Sequence, residues 1–133
     1  ADVDEDSEMA ESIDAKKEAL SKVHLDLYKR LSLGKTNGKY SSVLLQALAH
    51  NSREAEVHHE LGVLAMETGN KIKAKKHFLQ ALDSDWHLYK THKELGILEL
   101  ESNEQEKAKL HLTIALDLNP EEKSILKLLS KIQ

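Results

Sequence analysis

The sequence predicts an all-α fold, a stack of antiparallel helical hairpins with about seven helices, and three observations predict it. Residues 55–88 laid over residues 89–122 coincide at thirteen positions, where average residue usage gives about two. The shared residues are His58/His92, Glu60/Glu94, Leu61/Leu95, Gly62/Gly96, Leu64/Leu98, Glu67/Glu101, Lys73/Lys107, Ala74/Ala108, Lys75/Lys109, His77/His111, Ala81/Ala115, Leu82/Leu116 and Asp83/Asp117. A 34-residue period carried by helix formers means stacked hairpins, each completed only by its neighbour. The composition agrees: one proline, one phenylalanine and one tryptophan stand among abundant Leu, Ala, Lys and Glu. Asn51, Asp85 and Asn119 also recur at the same interval, each where an N-cap is needed before the next helix.

The elements follow in order. Residues 1–7 are expected to form a disordered acidic leader, because they have almost nothing to bury. Residues 1–14 hold Asp2, Asp4, Glu5, Asp6, Glu8, Glu11 and Asp14 without a basic side chain, a charge of −7, whereas the remainder carries +3. Such a leader folds back, meets a basic partner or, most commonly, solvates the terminus. Residues 8–133 are long enough for one core and short for two, so a single domain is expected. Within it, residues 8–54 form an N-terminal helix and a degenerate repeat, residues 55–88 and 89–119 are repeats, and residues 120–133 cap the stack.

From Glu8 the residues Met9, Ile13, Leu20, Val23, Leu27 and Leu31 recur at helical spacing, an apolar stripe of the kind that faces a core. Gly34 is expected to end this helix as a left-handed cap after Leu33, and Gly34 to Gly38 form a loop. A second apolar helix runs through Val43, Leu44, Ala47 and Leu48. Asn51 with Glu54 and Asn119 with Glu122 have capping-box spacing, and Pro120 is expected at a first helical position. Asn103 with Glu106 has the same spacing, and Gly69 with Asn70 turns the chain in the middle repeat. Residues 120–133 place Ile125, Leu128, Leu129 and Ile132 on one face and Lys123, Lys127 and Lys131 on another, as a terminal capping helix does.

These residues resemble the tetratricopeptide repeat (TPR), whose pattern runs W-x2-L-G-x2-Y, then A, F and P. Residues 55–88 read His58-x2-Leu61-Gly62-x2-Ala65, then Ala74, Phe78 and Ala81, with Trp86 where proline is usual. Residues 89–122 read His92-x2-Leu95-Gly96-x2-Glu99, then Ala108, Leu112, Ala115 and Pro120. The resemblance implies a right-handed superhelix in which Gly and Ala let paired helices approach closely. The register carried back to residues 21–54 keeps His24, Leu27, Leu44 and Ala47 but puts Tyr28 and Tyr40 at the close-contact sites. Two rings do not fit that gap, so this hairpin should splay or pack differently.

Little in the chain points to chemistry. Cysteine is absent, which excludes disulfides, thiolate metal sites and cysteine nucleophiles. His24, His58 and His92 recur one repeat apart, but adjacent helices lie about 8–10 Å apart and zinc needs its ligands within about 2.1 Å, so hydrogen-bonded packing is expected. Gly34-Lys35-Thr36 imitates the end of a phosphate loop, but Lys29 stands where the earlier glycine belongs. Lys71, Lys73, Lys75 and Lys76 form a basic cluster without aromatic interleaving, a solvated face rather than a nucleic-acid site. No cofactor, metal, nucleic-acid or enzymatic role is expected, and no apolar run reaches the roughly 18 residues of a membrane span. The chain starts at Ala1 and lacks cysteine, which tilts the expectation for this soluble protein slightly toward an exported, periplasmic setting over a cytoplasmic one.

The resemblance implies a concave groove lined by the first helix of each hairpin. By register the middle repeat presents Glu56, His59, Val63, Met66 and Glu67; the last presents Lys90, Lys93, Ile97, Leu100 and Glu101; the degenerate one presents Lys22, Leu25, Lys29 and Leu33. Val63, Met66, Ile97 and Leu100 would form an apolar floor with no core of their own to fill. The family's clamp for a chaperone's terminal carboxylate uses Asn where Val63 and Ile97 stand, which disfavours such a ligand. The expected role is a protein-interaction adaptor that binds an amphipathic helix or apolar-anchored peptide. The alternative is a homo-oligomerisation module such as a homodimer, since three repeats are near the minimum for a stable array, with the groove covered by the N-terminal helix or a second copy.

Overall fold

The computed structural model describes residues 3–32 and 39–132. Seven helices follow one another among them: α1 (Val3–Leu31), α2 (Ser41–His50), α3 (Ala55–Glu67), α4 (Lys71–Ser84), α5 (Tyr89–Glu101), α6 (Gln105–Leu118) and α7 (Lys123–Ser130). There is no strand among the described residues. α1 packs on α2, α3 on α4 and α5 on α6, while α2 meets α3, α4 meets α5 and α7 closes against α6. No helix among the described residues is long and apolar enough to cross a membrane.

The 34-residue period is a period of contacts as well as of letters. Leu44, Phe78 and Leu112 are fully buried at equivalent positions, as are Ala47, Ala81 and Ala115. A Cβ added at Gly62 would lie 2.4 Å from the Phe78 ring, and one at Gly96 would lie 2.6 Å from Leu112 Cγ. Glycine is therefore needed at both positions for helix approach, and a ring or isobutyl group occupies the vacated space. Between α3 and α4 the chain turns through Gly69 at φ +83°, and Asn103 takes the equivalent place at φ +59°. The next amides, of Asn70 and Glu104, donate to the carbonyls of Ala65 and Glu99, each at 2.8 Å.

Helix boundaries differ from expectation in a regular way. Asn51, Asp85 and Asn119 end α2, α4 and α6 rather than start the following helices. Their amides donate to Ala47, Ala81 and Ala115, while the Asn51 and Asp85 side chains accept from the amides of Arg53 and His87. Each thus forms a turn that holds the linker, and α3, α5 and α7 begin four residues later, after Glu54, Leu88 and Glu122. Pro120 consequently sits in the linker, outside α7. Asn103 likewise turns the chain, and Glu104 precedes α6 without a side-chain cap. Asn70 does cap α4, accepting from the amide of Lys73 at 3.1 Å.

The first hairpin departs most from the sequence reading. α1 starts at Val3, so the helix runs through residues 3–7, the stretch set apart in the sequence as a leader. Residues 1 and 2, the Gly34 cap and the loop from Gly34 to Gly38 lie outside the described residues. Ile13, Leu20, Val23, Leu27 and Leu31 are 39–62% exposed, and the buried face of α1 is instead Ser21, Leu25 and Tyr28. Length explains this: α1 spans 29 residues and α2 only 10, so α2 covers about a third of it and selects the face it touches. The two tyrosines do not compete, because Tyr28 lies in the core with Leu44 while Tyr40 sits just before α2 and packs from the edge.

At the other end, Ile125 is fully buried and Leu128, Leu129 and Ile132 pack beside it against Leu112 and Ala115. Lys123, Lys127 and Lys131 are exposed.

Gly62→Ala should destabilise the protein by about 1–3 kcal/mol despite alanine's better helix propensity, because the rigid Phe78 ring has nowhere to go. Urea unfolding measures this. Phe78→Leu should recover part of the loss in the Gly62→Ala background while being destabilising alone.

Candidate functional site

The first helices of successive hairpins are tied side by side by three long-range contacts. The Lys29 ammonium of α1 donates to Glu56 of α3 at 2.6 Å, and His59 Nδ1 of α3 meets Thr91 Oγ1 of α5 at 2.9 Å. Lys93 of α5 lies 4.0 Å from Glu122, just ahead of α7. Around the first two pairs is a cleft of about 310 Å³ lined by Lys29, Glu56, His59, Glu60, Lys90 and Thr91, with the linker residues His87 and Leu88 and with Tyr89 at the start of α5. It opens between α1, α3 and the start of α5. Another hollow, of about 370 Å³ between α2, α3 and α4, contains none of the expected groove residues.

Four of the expected residues, Lys29, Glu56, His59 and Lys90, therefore line one cleft. Val63 and Met66 are half-buried against the core of Phe78, Leu95 and Leu98, and Leu100 against that of Leu112 and Ile125. These three have a core to pack on, contrary to the sequence reading, and offer only their outer atoms. Ile97 is half-buried as well. Glu67 is exposed, and Glu101 pairs with Lys71 at 3.3 Å. Leu25 is a correction: at 4% exposure it belongs to the core with Tyr28 and Leu44 and offers no contact surface. Lys22 is exposed and pairs with Glu18 at 3.3 Å, while Leu33 lies outside the described residues. Residues 12–20 of α1 are exposed throughout.

Thr91, Glu60 and the linker residues are cleft members that register alone did not single out. Thr91 is buried, and its bond to His59 joins residues 32 apart, beyond any local pattern. Burial, reinforced by the Lys90 ammonium and opposed by Glu56, pulls the His59 imidazole from its ordinary 6.5 down to about 4. His59 is thus neutral at pH 7. Its Nδ1 can then accept the Thr91 hydroxyl proton. Burial also raises the carboxyls of Glu60 and Glu94, against the pull of Lys29 and Lys90 on the first and Lys93 on the second. For Lys29 burial works downward, but the bond to Glu56 outweighs it and raises the ammonium.

The recurrent histidines are structural. His58 and His92 each direct Nε2 to a linker carbonyl, of Ser52 and Trp86, at 2.8 Å, and His24 Nδ1 meets the Leu20 carbonyl at the same distance. Each also pairs with a second ring, His24 with His50 at 5.0 Å, His58 with His77 at 6.0 Å and His92 with His111 at 5.8 Å between centroids. His111 in turn bonds the buried Glu99 at 2.5 Å. Burial lowers the pKa of both His77 and His92. No group of three or more metal-ligating side chains converges among the described residues.

No protein-family description matches the sequence, and no curated protein sequence matches it. Solved structures do match. The TPR domain of Arabidopsis OM64 aligns with a TM-score of 0.79 at 18% identity, over 88% of this chain and 97% of that one. The first TPR of Spaghetti (RPAP3), bound to the HSP90 peptide SRMEEVD, gives 0.72 at 14% identity, over 89% and 90%. The Yersinia enterocolitica type III secretion chaperone SycD, in complex with a peptide of the translocator YopD, gives 0.69 at 14%, over 86% and 90%. The chain therefore has the TPR fold.

The low imidazole pKa sets a pH dependence. A histidine held neutral when folded stabilises above its ordinary 6.5 and loses that contribution as pH falls through about 4. Relative to His59→Gln, the wild type should lose up to roughly 3 kcal/mol between neutral pH and pH 4, read by urea unfolding of both proteins. Parallel pH profiles would show that His59 titrates normally.

Proposed function

We propose that this protein is a non-enzymatic interaction adaptor whose groove takes an amphipathic helix or apolar-anchored peptide from a protein partner. The observation that carries this reading is the cleft in which Lys29, Glu56, His59 and Lys90 meet from three helices. Half-buried Val63, Met66, Ile97 and Leu100 lie farther along the same helices, α3 and α5. A ligand helix would set apolar side chains on that strip and its polar flank against the charged mouth. Lys93, Glu67 and Glu101 would stand at its rim, where charge selects partners more than it adds affinity.

Two neighbours of the same fold carry peptides, the HSP90 peptide on Spaghetti and the YopD peptide on SycD, which supports recognition of an extended or helical segment. A terminal-carboxylate ligand is the weaker reading. Val63 and Ile97 supply no hydrogen bond, and Lys29 is already engaged by Glu56.

Peptides selected from a displayed library of amphipathic helices should bind the wild type and lose about 10-fold or more in affinity for Ile97→Glu, some 1.4 kcal/mol, by fluorescence anisotropy. Ile72→Glu, at a side chain 87% exposed on α4, should leave binding unchanged. Equal affinity for wild type and Ile97→Glu would overturn the groove as the site.

A further inference from the structure

We propose that α1 carries a second interaction surface, separate from the groove, whose occupant is α1 of a second copy lying antiparallel to it. Ile13, Leu20, Val23, Leu27 and Leu31 are all exposed. At 3.6 residues per turn they fall within about 80° of the helix circumference. Their stripe is distinct from the face of Ser21, Leu25 and Tyr28 that α2 covers. From Ser12 to Leu20 every side chain is exposed, so no other element among the described residues shields this length of helix. A contiguous apolar strip of this kind on an extended helix marks a contact surface.

Two features of α1 identify the occupant. The first is symmetry: Ile13 and Leu27 stand seven residues to either side of Leu20. A two-fold axis through Leu20 sets Leu20 against its own copy and Ile13 of each chain against Leu27 of the other, the self-complementarity that an isologous contact requires. The second is charge. Residues 1–14 carry −7, whereas residues 15–31 hold five basic and two acidic side chains, a charge of +3. With the axis at Leu20, residues 9–14 of one helix, which include Glu11 and Asp14, lie along residues 26–31 of the other, which hold Lys29 and Arg30 beside Asp26; parallel pairing would oppose −7 to −7. The same acidic half repels an anionic membrane or nucleic acid, so neither fits the strip as well as a second copy.

The full chain, studied by light scattering across concentrations, should show a monomer–dimer equilibrium. Leu20→Glu should raise the dissociation constant by at least about 10-fold. Its helix content and unfolding at dilute, monomeric concentration should stay unchanged, because the altered side chain is exposed in the single chain. The natural sequence has no cysteine, so introduced thiols report orientation cleanly. Leu20→Cys should oxidise to a covalent dimer, and Ile13→Cys should not, since the two-fold holds its two thiols about 21 Å apart along the helix axis. Ile97→Glu should leave the dimer intact, which separates this surface from the groove. A monomer at every concentration would assign the strip to a different partner and overturn the proposal. So would a dimer indifferent to Leu20→Glu, one dissociated by Ile97→Glu, or one locked by Ile13→Cys.

Discussion

The approach of paired helices rests on the missing Cβ at Gly62 and Gly96. Phe78 and Leu112 project into the space those glycines leave, and both are fully buried there. That contact brings α3 onto α4 and α5 onto α6, and it leaves the opposite side of α3 and α5 turned away from their own partners. The side-by-side ties His59 to Thr91 and Lys93 to Glu122 exist because of this orientation. Where the glycine is replaced by Tyr28, the ring itself becomes core, and α2 begins only at Ser41. The first hairpin thus packs around a ring at the position where the next two have a glycine.

Most of the fold was legible because its signals are local and repeated. The 34-residue coincidence located α3 to α6, and the split between Ile125 and the lysines of α7 located the cap. The errors share a cause: a boundary or a buried face is settled by a partner the local sequence does not contain. Asn51, Asp85 and Asn119 have the chemistry of helix starts, yet their amides complete the preceding helices. On α1 the more apolar stripe lost to Leu25 and Tyr28, because a ten-residue α2 decides which face it can cover.

The cleft between α1, α3 and α5 was partly legible for the same reason. Register named Lys29, Glu56, His59 and Lys90 because first-helix positions repeat, and those four share a cleft. It failed for Leu25, whose hairpin is the degenerate one, and it passed over Thr91, whose partner lies 32 residues away. The histidine pairs were equally hidden. His58 and His92 announce themselves by recurrence, but that each faces His77 or His111 depends on the crossing of two helices.

The seal made by α7 has a consequence for how copies can combine. A helical-repeat stack extends end to end when the last hairpin of one molecule offers its face to the first hairpin of the next, a heterologous contact that never closes and grows into fibres. Here the terminal face of Leu112 and Ala115 is already filled by Ile125, with lysines turned outward over it. End-to-end growth on that face would first have to displace α7 and uncover Ile125, so the seal is also a barrier to stacking.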